Sequence, residues 1–185
     1  MSRLYIIFFL LITLISPSMS ESQMIAGPEV EQVNNDIYVS FSLILGDKHL
    51  EEIRKGIEKE LKLHIDLFRV WKVWPNEFTL GKTNVRTLKA DPVKKEYVAT
   101  SLEGNTLIEK RFKSFESMIE WALSIRNVKL TNTREIDRGK YFVRITVESK
   151  IRKLPPVIGY FFIFVSENEF KIVKDSAFFS IDGVR

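Results

Sequence analysis

Cysteine is absent from all 185 residues of this chain. Its absence excludes disulfide bonds, thiolate catalysis, cysteine-ligated zinc or iron–sulfur centres, and anchoring through a lipid-modified cysteine. The folded chain must therefore be stabilised by packing, with no covalent cross-link.

Groups that carry common enzyme chemistry are also scarce. The only imidazoles are His49, at the start of a predicted helix, and His64, on the polar face of a predicted strand beside Asp66. Two ligands do not make a zinc site, so structural or solvated roles are expected for both histidines. Gly81-Lys82-Thr83 lacks the earlier glycine of a phosphate-binding loop, and no serine stands in a G-x-S-x-G motif. We predict no catalytic residue, no metal site, no cofactor and no enzymatic activity.

Neither positive nor negative residues are in large excess. The 28 Lys and Arg residues against 24 Asp and Glu give a net charge of +4, and the two signs alternate along the chain. A nucleic-acid-binding protein usually gathers its basic residues on one face, so nucleic acid is not expected as a partner. A hydrophobic content of 45 % with 14 Phe predicts a globular body.

The N-terminal residues resemble an export signal. Arg3 precedes the apolar run 4–15, and small residues stand at Ser18 and Ser20, a pattern typical of a cleaved signal peptide. The run is shorter than the roughly 20 residues of a comfortable membrane span; if uncleaved, residues 4–15 would instead anchor the chain to the membrane. We expect an exported protein, either periplasmic or anchored on the outer face of the cytoplasmic membrane.

Hydrophobic periodicity predicts the fold. Residues 1–20 are assigned to the signal peptide or anchor, 21–35 to a linker and 36–185 to a single β-rich domain. Alternation of period two predicts strands, and helical spacing after Asp47 and after Ser114 predicts two amphipathic helices. The predicted strands cover residues 37–45, 61–73, 82–89, 96–101, 106–112 and 141–150, with closing strands near 170–172 and 178–181. The predicted class is mainly β (α+β): an antiparallel β-sandwich or curved sheet of about eight strands with two helices.

The most apolar stretch of the body runs from Lys150 to Phe170. Pro155-Pro156 predicts a corner, and residues 160–165 predict a strand buried on both faces; docking of this stretch on an anionic membrane is the alternative. The acids that follow, Glu167 and Glu169, are interpreted as a solvated turn.

One group of residues predicts a binding surface. Trp71 and Trp74 stand close in sequence to Arg69 and Lys72, with Phe78 following. Aromatic rings interleaved with basic side chains form ligand surfaces in many proteins, so these residues are the best candidate for a binding surface, although packing of both tryptophans in the core is the favoured interpretation.

Several motifs carry a resemblance to a known family. They are Leu67-Phe68-Arg69 before the Trp-rich piece, Lys95 to Val98, the Phe112 to Phe115 entry to a helix, and Leu154-Pro155-Pro156 followed by residues 161–166. The chain resembles an exported bacterial family known as domain-of-unknown-function family 4390. The resemblance implies the fold boundaries and export, and it brings no activity.

These observations favour a non-catalytic exported domain that binds an envelope protein or another envelope component. The alternatives are a membrane-tethered structural or sensory accessory and, less favoured, an envelope hydrolase.

Overall fold

A computed structural model of the chain describes residues 22–91, 93–151 and 168–181. The predicted signal segment, the Pro155-Pro156 corner and the strand at 160–165 lie outside these residues. Within them, neither helix has the length and apolar character needed to cross a membrane.

The described residues form ten strands, two α-helices and a short 3-10 turn. The strands are β1 (Met24–Val33), β2 (Asp36–Ile44), β3 (Lys59–Val70), β4 (Glu77–Asp91), β5 (Glu96–Glu103), β6 (Thr106–Phe112), β7 (Ser124–Asn132), β8 (Gly139–Ile151), β9 (Asn168–Asp175) and β10 (Phe179–Ile181). The helices are α1 (Asp47–Arg54) and α2 (Phe115–Leu123), and the 3-10 turn is Thr133–Glu135. The predicted mainly-β α+β class with two helices is confirmed.

The strands form two antiparallel sheets. One has the order β1-β2-β7; the other has seven strands in the order β10-β8-β3-β4-β5-β6, with β9 also paired to β8. Apolar side chains from both sheets and both helices belong to a single buried core. In β2 and β3 alternate side chains are buried, as their period-two sequences predict.

Helix α2 has the N-cap and the buried face that its sequence predicts. Ser114 is the N-cap residue, and its side chain accepts a hydrogen bond from the backbone N–H of Ser117. Phe115, Met118 and Ala122 lie on the buried face that spacings of three and four residues predict.

The interpretation of residues 21–35 as a linker is wrong for residues 24–33. These residues form β1, which pairs with β2 and places Ile25, 4 % exposed, opposite Leu43. The register shifts between Ala26 and Glu29. Because this irregularity interrupts the alternation of apolar and polar residues, the strand leaves no period-two pattern in the sequence.

Two further elements differ from what the sequence pattern suggests. Residues 127–132 lie in a largely polar segment, yet they belong to β7, whose register against β2 shifts twice. The first helix ends at Arg54, and its N-cap residue is Gly46, with no side-chain cap, and not Asp47. Gly56 follows at a φ of +93°, a backbone conformation that glycine adopts without strain and that ends the helix.

Candidate functional site

The four residues predicted to bind a partner lie at one end of the β3–β4 hairpin. Arg69 is near the end of β3, while Trp71, Lys72 and Trp74 belong to the connection 71–76 that leads into β4. Large apolar side chains cluster in exposed positions here: Val73 is 88 % exposed, Trp74 75 % and Phe78 57 %. We call Trp71, Val73, Trp74, Phe78 and Phe178 the aromatic end.

Trp71 is held in place from two sides. The Arg69 guanidinium lies 4.3 Å from the centre of its ring, and the indole Nε1 donates a 3.0 Å hydrogen bond to Oε2 of Glu77. Arg69 is itself fixed, because Nη1 donates to Oδ2 of Asp137 at 3.0 Å and Nη2 to the carbonyl of Arg138 at 2.8 Å. These contacts fix the base of the loop that carries Trp74 and Val73.

A row of four phenylalanine rings extends the aromatic end across the outer face of the larger sheet. Phe68 of β3 stacks on Phe142 of β8 with ring centres 5.3 Å apart and meets Phe78 of β4 edge to face at 5.8 Å. Phe142 in turn meets Phe178 at 5.7 Å. Strand register produces the row, since Phe68 lies opposite both Phe78 and Phe142.

Cations border the row. The Lys140 ammonium lies 4.6 Å from the centre of the Phe178 ring, and the Arg144 guanidinium lies 5.2 Å from that of Phe68. Arg144 also donates two hydrogen bonds to Asp175, at 2.7 and 2.8 Å, and this bidentate pair raises the pKa of Arg144. The rim is therefore charged while the middle of the surface is apolar, the arrangement that protein-binding surfaces share.

The structure brings the four predicted residues to one surface. Trp71 is 41 % exposed and Trp74 75 %, so the favoured interpretation that both pack in the core is wrong. Sequence reasoning missed Phe178, because only the pairing of β10 with β8 brings the residues before β10 close to Phe142.

A second group of polar side chains lies inside the protein. The Lys59 ammonium, 1 % exposed, is 2.5 Å from Oε2 of Glu52, 2.5 Å from Oε1 of Glu169 and 3.1 Å from Nδ1 of His49. Ser149 donates a further hydrogen bond to Glu169 at 3.1 Å. We call these five residues the ionic cluster. The interpretation of Glu169 as part of a solvated turn is wrong, since its side chain is only 15 % exposed and bonded to Lys59.

The electrostatics of the ionic cluster follow from its burial. Burial is the largest cause that lowers the pKa of His49, and the charge of Lys59 lowers it further against the opposing effect of Glu169. Burial alone would raise the pKa of Glu52, but the hydrogen bond and charge of Lys59 outweigh it and lower that pKa. His49, Glu52 and Glu169 are spaced closely enough to hold a metal ion. The ammonium of Lys59 already lies among these side chains, so the two carboxylates have a cation of the protein itself as their partner.

His64 and Asp66 do not join that cluster. They lie on the outer face of β3, where Nδ1 of His64 is 3.1 Å from the hydroxyl of Thr83. Burial raises the pKa of Asp66, partly offset by the nearby charges of His64 and Arg144. His64 therefore lies on the outer face of the larger sheet, whereas His49, in helix α1, lies on the side of its buried face.

Comparison with known proteins gives one positive finding. A family model described as "Domain of unknown function (DUF4390)" matches residues 24–176, which include β1 to β9, the ionic cluster and every residue of the aromatic end except Phe178. No curated protein and no solved structure matches the chain.

Proposed function

Because the chain belongs to the DUF4390 family, whose description assigns no activity, we propose a function from its surface: a non-catalytic module whose aromatic end binds a protein of the cell envelope. The partner is expected to offer an apolar pocket with an acidic rim. The envelope location rests on the export pattern of residues 1–20, with the mature domain periplasmic or anchored on the outer membrane face.

The observation that carries the proposal is the exposure of large apolar side chains at one end of the larger sheet. Val73 and Trp74 are largely exposed in the loop that leads into β4, and Phe78 and Phe178, at the two ends of the row of phenylalanine rings, are more than half exposed. Exposed apolar surface of this kind is costly to keep in water and marks interaction sites in soluble domains. Tryptophan and arginine are also the residue types that dominate binding energy at protein interfaces.

The ordered base of the aromatic end supports the same function. Arg69 and Trp71 are held by Asp137, Arg138 and Glu77 before any partner arrives. A surface already ordered in the free protein loses less conformational entropy on binding, so more of the contact energy appears as affinity.

The charges around the aromatic end indicate the chemistry of the partner. Lys72 and Lys140 are exposed, and Lys140 lies over Phe178. Two of the nearby acids, Asp137 and Glu77, are bonded to Arg69 and Trp71. Acidic side chains around an apolar pocket would complement this surface and speed association.

The test is capture of the partner by the purified chain, followed by affinity measurement with the purified partner. Trp74→Ser and Phe78→Ser should each weaken binding by about tenfold or more, as expected for interface hot spots. Val93→Ser is the matched control, because Val93 is 91 % exposed but follows the far end of β4. Unchanged binding in Trp74→Ser would overturn the proposal. Sedimentation of the wild-type chain with anionic vesicles, with no protein partner captured, would replace it with membrane docking.

A further inference from the structure

A cleft of about 670 Å³ opens between β4 of the larger sheet and β7 of the smaller one. Its lining includes the buried apolar side chains Ile65 and Ile125, which come one from each sheet. Ligand pockets for small molecules have volumes of roughly 300–1,000 Å³, so this cleft is large enough for one. It is separate from the aromatic end, whose five residues do not line it.

The charged lining of the cleft is mainly positive. It contains Lys82, Arg86, Arg126 and Lys129 against a single carboxylate, Glu103. Lys129 is paired with Asp36 at 2.8 Å. Among the described residues, the other three cations have no carboxylate within salt-bridge distance: Lys82 donates to the carbonyl of Lys129 at 2.5 Å, and Arg126 donates to the Ser124 hydroxyl at 3.1 Å.

Glu103 already has its own partners. It accepts hydrogen bonds from Nδ2 of Asn84 at 2.7 Å and from the hydroxyl of Ser101 at 3.2 Å. These neutral donors hold the carboxylate on the β5 side of the cleft, and the cations of β4 and β7 keep their excess positive charge.

Arg86 is the most unusual member of the lining. It is only 7 % exposed, and burial lowers its pKa, with Glu103 opposing that effect. Nη1 donates to the carbonyls of Trp121 and Ala122 at 2.7 and 2.8 Å, which caps the C-terminus of α2. Nε is buried and has no hydrogen-bond partner. Capping therefore gives Nη1 of this buried cation its hydrogen-bond partners. Nε remains without one, which is unfavourable in a protein interior.

We propose that the cleft binds a small molecule that carries an anionic group, either a phosphate or a carboxylate. The anion would be held between Lys82 of β4 and Arg126 of β7, close to the buried charge of Arg86, while the rest of the molecule contacts Ile65 and Ile125. Charge-assisted hydrogen bonds from such cations are stronger than those between neutral groups. Binding would also join the two sheets on the side where the cleft separates them.

The test is an NMR titration of the isotope-labelled chain with inorganic phosphate and, separately, with acetate, at constant ionic strength. Either anion should produce saturable shifts in the backbone amides of residues 81–84 and 125–129 and in the Nε–Hε signal of Arg86. Saturation by phosphate alone identifies a phosphate-bearing ligand, and saturation by acetate alone a carboxylate. Shifts that rise linearly with both anions would mean an adventitious ion only and would overturn the proposal.

Substitutions localise the effect. Lys82→Ala and Arg126→Ala should each raise the dissociation constant about tenfold, as loss of one charge-assisted contact predicts. Arg126 is exposed, so its variant keeps the test valid if Lys82→Ala disturbs the contact with β7. The control Lys113→Ala removes an exposed cation that does not line the cleft and should change nothing. Equal affinity in Arg126→Ala and in the wild type would contradict the site. Trp74→Ser should have no effect here, which separates this proposal from that of the aromatic end.

Discussion

The ammonium of Lys59 lies 2.5 Å from Oε1 of Glu169, although 110 positions separate the two residues in sequence. The contact joins the first residue of β3 to β9, and the same ammonium reaches Glu52 of α1 at 2.5 Å. A buried cation thus connects a helix and two strands from distant parts of the chain.

Removal of this cation should be strongly destabilising. Lys59→Met leaves the carboxylates of Glu52 and Glu169 without their partner, and breaking a buried ion pair from one side costs about 3–5 kcal/mol. Urea unfolding followed by circular dichroism would measure the loss. The matched control is Lys62→Met on the opposite face of β3, which should change the free energy of unfolding by less than about 0.5 kcal/mol. Equal effects of the two substitutions would show that Lys59 does not stabilise the fold through this cluster.

The stability of the protein should depend on pH through His49. Its pKa is lower in the folded protein than the usual 6.5, so the unfolded chain takes up the proton first. The contribution of neutral His49 to the free energy of unfolding is therefore fully present above pH 6.5. It is lost as the pH falls from 6.5 towards the pKa that His49 has in the folded protein. His49→Gln should abolish this loss.

The pH range below 4.5 provides an internal control for that measurement. The pKa of Glu52 is also lowered, from 4.5, so its contribution is present above pH 4.5 and is lost as the pH falls through the folded value. Wild type and His49→Gln should therefore both lose stability below pH 4.5. A parallel decline of the two proteins between pH 6.5 and 5 would contradict the assignment to His49.

Gly81 should tolerate alanine only when Asp66 is removed. A Cβ at Gly81 would clash with Oδ1 of Asp66 and would lie 3.3 Å from the ring of Phe78. Gly81→Ala is therefore expected to cost about 1–2 kcal/mol in the wild type, a typical cost of overpacking. In an Asp66→Ala background the cost should be clearly smaller, because the clashing oxygen is gone and only the tight contact with the Phe78 ring remains. A double-mutant cycle in urea would measure the coupling, and additive effects would contradict the clash.

The sequence predicted those elements whose alternation is uninterrupted. Strand β3 was predicted at 61–73 and spans 59–70, while α2, which has both a capping serine and a continuous apolar face, begins after Ser114 as predicted. Strands β1 and β7 were missed because register shifts interrupt their pairing with β2. A residue pattern cannot show such a shift, since it depends on the neighbouring strand.

The candidate site was predictable only in part. Arg69, Trp71, Lys72 and Trp74 lie within six positions, so their nearness could be read from the sequence; Phe178 joins them only through the tertiary structure. The ionic cluster draws its residues from α1, β3, β8 and β9. One signal was available: Lys59 continues the buried alternating row of Leu61, Leu63 and Ile65, a position where a lysine needs a buried partner.

The most direct test of the central claim is site-specific photo-crosslinking in cells that express the full chain. A benzophenone amino acid at position 74 should give a discrete covalent adduct with one protein, because Trp74 is proposed to enter the partner's pocket. The same probe at position 93, which is even more exposed and follows the far end of β4, should give none. Addition of Phe78→Ser to the position-74 probe should abolish the adduct. Absence of an adduct at position 74, or identical adducts at 74 and 93, would contradict the claim that the aromatic end is a protein-binding surface.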